Sequence, residues 1–141
     1  MTRQKVLIVV LNLLTVCVLV LAGYLFYRPV LCWWHVRNYT ISHDSRSLKW
    51  LCLHEIQWGM TRDEMSDLLG PGTEIDDRDR WNEIAGATRY DPHFPDGVEP
   101  DDVIVQYPFS WDVCIFQFRR NRLVNYKREW WEQVTFPPHK K

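Results

Sequence analysis

The sequence predicts an α+β fold: an N-terminal transmembrane helix, then two short helices packed on a three-stranded antiparallel sheet, in the order αα-βββ. Three observations predict it. The first is an uncharged run from Val6 to Tyr27, VLIVVLNLLTVCVLVLAGYLFY. The second is a helix with both ends marked, IQWGMTRDEMSDLLGPG, from Ile56 to Gly72. The third is a pair of apolar, β-branched and aromatic stretches, VIVQY and DVCIFQF, separated by turn-forming residues. The 141 residues divide accordingly. Residues 1–37 hold a short N-terminus, the transmembrane helix at about 6–28 and a juxtamembrane segment. Residues 38–141 form the folded domain, with an acidic loop at about 71–102.

As a helix the first run rises roughly 33 Å, slightly more than the ~30 Å hydrocarbon core of a bilayer. Only Asn12 and Thr15 are clearly polar within it. Small residues at Ala22 and Gly23 could mark a cleaved signal, but the run continues apolar through Tyr24-Leu25-Phe26-Tyr27, which favours a retained anchor. The lipoprotein pattern fails because Tyr24 stands where the acylated cysteine belongs. Arg3 and Lys5 before the span and Arg28 and Arg37 after it give little charge bias. The short basic N-terminus fits a signal anchor, with the protein single-pass in the membrane and the soluble domain extracytoplasmic. Tyr24, Tyr27, Trp33 and Trp34 form an interfacial belt, and Pro29 ends or kinks the helix.

The first soluble helix is expected from about Ser47 to Glu55, capped by Ser45 or Ser47, with Leu48, Leu51, Cys52 and Ile56 as its apolar stripe. In the next, Gly59 reverses the chain, Thr61 caps, and Glu64 completes a T-x-x-E capping box. Met60 and Met65 occupy hydrophobic-staple positions. Leu69 closes the apolar face, and Gly70-Pro71 stops the helix with a left-handed residue followed by one that cannot continue it. Strands follow at Val103–Tyr107, Asp112–Phe118 and Leu123–Trp131. Cys114, Phe116 and Phe118 share one face and Val113, Ile115 and Gln117 the other. The expected core is Leu51, Met65, Leu68, Leu69, Phe116 and Phe118. Cys52 and Cys114 read as small buried hydrophobes, with a disulfide between them as the alternative.

Ten acidic residues lie between Glu74 and Asp102, while Arg119, Arg120, Arg122, Lys127 and Arg128 cluster near the C-terminus. That asymmetry reads first as a solvated face, and otherwise as a clasp within the domain or a draw for a partner. The absence of a net basic surface argues against nucleic acid. No metal spacing, nucleophile elbow or phosphate loop is present, so no enzyme activity and no cofactor are expected. Asp91 and His93 on the acidic loop are the alternative, an extracytoplasmic enzyme; a purely structural membrane-proximal domain is another. Trp81 could anchor the acidic loop, and Trp50, Trp58 and Trp111 read as core or loop anchors. Adjacent Trp130 and Trp131 on a strand must face opposite sides, so one of them, beside Arg128, is the expected contact for a protein partner or lipid headgroup.

The order of elements, with Ile56, Gly59-Met60-Thr61, Glu64, Leu68-Leu69-Gly70-Pro71 and the hairpin around Phe116, Phe118 and Val124, resembles the SmpA/OmlA (BamE-like) domain family over roughly Ser45 to Trp131. The resemblance implies an αα-βββ layer, shared with β-lactamase inhibitory proteins, and protein binding in cell-envelope assembly or maintenance. The chain departs from that family in lacking a lipobox cysteine and in the length of the connection before the first clear strand. The helix motif is therefore carried over as scaffold.

Overall fold

The computed structural model describes residues 3–75, 97–110 and 112–135. The chain divides into two compact units, Met1–Trp34 and His35–Lys141.

Helix α1, Arg3–Ser42, contains the whole apolar run. Its most apolar window is entirely exposed, so the run does not serve as the core of a globular domain, and the helix is long and apolar enough to cross a membrane. Pro29 does not end it. The helix continues through Pro29 for thirteen more residues, so of the expected end or kink the end does not occur. A single missing N–H within a long helix costs one backbone bond and leaves the turns on either side intact.

In the second unit, His43 takes a positive φ of 50° and turns the chain into α2, Ser45–His54. The cap is Asp44, where Ser45 or Ser47 was expected: its carboxylate accepts from the Ser47 amide at 2.8 Å. Helix α3, Arg62–Leu69, forms where the sequence placed it. Thr61 Oγ1 accepts from the Glu64 amide at 3.2 Å and the Glu64 carboxylate accepts from the Thr61 amide at 2.8 Å, the reciprocal capping box. Gly70 ends the helix at φ 83°, but with an extended ψ of −179° in place of the left-handed helical value, a region open essentially to glycine alone.

The sheet has four antiparallel strands in the order β1-β2-β3-β4, one more than expected. They are β1 Thr73–Glu74, β2 Val103–Phe109, β3 Asp112–Arg119 and β4 Arg122–Leu123. The extra strand lies at the start of the acidic connection, where two residues pair Thr73 with Gln106 and Glu74 with Val105. Two residues are too few for an alternation pattern, so composition hid this strand. The expected third strand, Leu123–Trp131, is corrected: β4 stops at Leu123, and Arg128–Gln133 forms a helix, α4.

The sheet register sets Val105, Tyr107, Cys114, Phe116, Phe118 and Leu123 on one face and Ile104, Ile115 and Gln117 on the other. Trp131 of α4 stacks on Phe116 at 6.3 Å, and α4 packs against α2. Across the sheet, Ile75, Ile104 and Ile115 make a buried cluster. Strand β3 is thus buried on both faces from Cys114 to Phe118. Of the expected core, Leu68 alone is only half-buried. Cys52 and Cys114 are buried and are not joined in a disulfide. Burial pushes the Cys52 thiol well up, so it is an apolar filler and not a nucleophile.

Candidate interaction surface

The residues of the expected C-terminal contact lie on helix α4 and not on a strand. On a helix, Trp130 and Trp131 need not face opposite ways: their rings meet edge to face at 4.8 Å. Trp131 is fully buried and Trp130 half-buried. Arg128 is exposed and pairs with Glu132 one turn on, at 3.1 Å. Trp131 is therefore a core residue, with no surface to offer a partner. Asp91, His93, Trp81, Trp111 and most of the acidic loop lie outside the described residues, as does the PPHKK tail.

A different aromatic is presented to solvent. Trp58, expected as an anchor, is 69% exposed. It precedes Gly59, whose φ of 83° reverses the chain between α2 and α3. The reversal is stitched to the sheet by two backbone bonds: the Gly59 amide donates to the Leu123 carbonyl and the Leu123 amide to the Met60 carbonyl, each at 2.8 Å. The segment Gly59–Met60 thereby runs along β4. Side chains add two more ties. Arg122 Nη1 donates to the Gly59 carbonyl at 3.1 Å, and Asn121 Oδ1 accepts from the Arg62 amide at the start of α3 at 3.3 Å. Arg62 in turn reaches Glu74 of β1 at 2.9 Å.

The turn that joins β3 to β4 neighbours this reversal through Asn121 and Arg122. Arg120 and Asn121 both take positive φ, 49° and 61°, as a tight two-residue hairpin of primed type requires. Asn is at home there and arginine is not. Among the described residues neither the Arg120 guanidinium nor the Trp58 ring has a partner. An exposed indole and an unpaired arginine on a backbone held by the capped α3 are the residue types that dominate protein contacts.

The other charged group is internal. Arg119 grips Asp102 through two 2.9 Å bonds and reaches Glu99 at 3.0 Å. The Glu99 amide and the Gln117 carboxamide also donate to Asp102. Burial alone would raise the Asp102 carboxyl, yet the Arg119, Glu99 and Gln117 hydrogen bonds prevail and hold it below the usual carboxylate range. This is the clasp form of the acidic–basic asymmetry, fastening the end of the connection to β3. No group of three metal-ligating side chains occurs among the described residues.

Comparison of the chain with family models, with curated proteins and with solved structures returns no match.

Proposed function

We propose that this protein is a single-pass, membrane-anchored domain without catalytic activity, which binds a protein or envelope component on the extracytoplasmic side through Trp58 and Arg120. The observation that carries the reading is the exposed Trp58 ring immediately before Gly59 and Met60, which bond the reversal to β4. A large apolar ring left in water on a rigid backbone is stabilised by burial against a partner, and little ordering entropy is lost on docking. The motif around it is the one that resembles SmpA/OmlA domains, and on this reading the scaffold is of that family and serves envelope assembly or upkeep. The apolar helix α1 supports the anchor, and Arg3 and Lys5 support a cytoplasmic N-terminus.

The test is a photo-crosslinking amino acid placed in the full chain at position 58, and separately at position 130, in native membranes. Specific adducts from position 58 that vanish on Arg120→Ala are expected, with weaker ones from position 130. Position 58 yielding no more than position 130 would remove the surface. Protease protection of the domain in cells stripped of any outer membrane and wall, with the inner membrane intact, would overturn the extracytoplasmic side.

A further inference from the structure

We infer that α1 pairs with α1 of a second copy of this chain within the membrane, through Asn12 and the notch at Gly23. The inference rests on the reading of α1 as a membrane span. Two polar side chains lie in the apolar run, and the structure treats them differently. Thr15 Oγ1 donates to the Leu11 carbonyl at 2.9 Å, so its hydroxyl is satisfied inside its own helix. The Asn12 carboxamide makes no hydrogen bond among the described residues. It sits six residues inside the run, a depth of about 9 Å, where lipid offers neither donor nor acceptor.

A second feature falls on the same side. Gly23 is eleven residues further, three turns of helix, which brings it within roughly 20° of Asn12 around the axis. A side chain built at Gly23 would meet nothing within 4 Å. Its absence opens a groove along the helix past Phe26, Tyr27, Val30 and Trp34. A small residue of this kind lets two helix backbones approach closely, and close approach is what a pair of short carboxamide side chains requires.

The occupant follows from the chemistry of the amide. A carboxamide carries one acceptor and two donors, so it is complementary to itself: two copies related by a two-fold axis exchange a pair of reciprocal bonds. The same axis sets the two Gly23 notches against each other. Cys17, roughly 140° around the helix from Asn12, faces away from the pair.

The experiment uses the full-length protein, donor- and acceptor-labelled, reconstituted in phospholipid vesicles, with energy transfer read against dilution in lipid. Dimerisation is expected, weakened roughly tenfold by Asn12→Leu, restored by Asn12→Gln, and weakened again by Gly23→Ile. Thr15→Val should leave it unchanged. Cysteine introduced at Leu19, on the Asn12 side, should crosslink under mild oxidation, whereas native Cys17 should not. Carbonate extraction separates the two readings: release from membranes removes the span itself. Protein that stays in the bilayer as a monomer, or a dimer indifferent to both Asn12→Leu and Gly23→Ile, overturns the pairing alone. An Asn12-dependent adduct to a different membrane protein in native membranes, with the pure protein monomeric, overturns the second-copy assignment.

Discussion

A methyl group at position 72 would stand 2.5 Å from Val105 Cγ1 and 2.8 Å from the Tyr107 ring, closer than carbon atoms tolerate. Gly72 also holds φ at 64°, the left-handed region that a side chain disfavours. The two effects are independent, one of space and one of backbone, and Gly72→Ala should cost about 2–4 kcal/mol in denaturant unfolding. Asp102 gives a residue-scale prediction in pH. Its folded carboxyl lies below the ordinary value, so its contribution is fully present above the unfolded value near ~3.9 and is lost as pH falls through the lower folded one. Asp102→Asn should flatten the acid limb of the unfolding free energy, and an unchanged limb would show the clasp to be idle. Glu64 acts in the same direction, its carboxyl held down by the Thr61 amide and then the Thr61 hydroxyl.

Among the elements, α3 was legible because each of its signals is local: a capping box spans four residues, and the glycine after Leu69 ends the helix without help from the rest of the fold. The strands β2 and β3 were legible from side-chain type. The end of β4 was not, because what ends it is a tertiary substitution. Asn125 turns its carboxamide into the sheet, accepting from the Gln117 amide at 2.8 Å and donating to the Ile115 carbonyl at 3.1 Å. One buried side chain thus takes the place of the next strand residue and frees the chain to form α4. Asn125→Leu strands a donor and an acceptor in the core and should cost about 2–4 kcal/mol. Helix α4 fits its own spacing once the strand is dismissed: Arg128 meets Glu132, and Trp131 turns inward. Trp131→Ala should therefore cost about 3–5 kcal/mol in a thermal or denaturant melt, while Arg128→Ala stays within about 0.5 kcal/mol. The reverse ranking would show that Trp131 is not a core residue. Trp58 departs from the expected core or loop anchor for a related reason: residue type alone favours burial for a tryptophan, and its exposure is set by the tertiary position of the Gly59 reversal.

At the scale of the whole molecule, the two units make different demands on their surroundings. The second unit has its own core, and the last two turns of α1 belong to it. Tyr39 is fully buried there and its hydroxyl donates to the Pro108 carbonyl at 2.8 Å, across 69 residues of chain. The helix is thus exposed and apolar over its early turns and structural for the domain over its final ones, a division that falls three residues before the 37/38 boundary expected from sequence. Two cuts distinguish these roles. A fragment of residues 35–141 keeps Tyr39 and should be soluble, released from membranes, and melt cooperatively within a few degrees of the full chain. A fragment of residues 43–141 loses Tyr39 and with it a filled aromatic site, a loss of about 3–5 kcal/mol, enough to consume much of the stability of a domain this size. Tyr39→Phe in the longer fragment, which removes only the hydroxyl, should cost about 1 kcal/mol. Equal melting of the two fragments would show that the domain begins at α2 and that α1 is an anchor throughout.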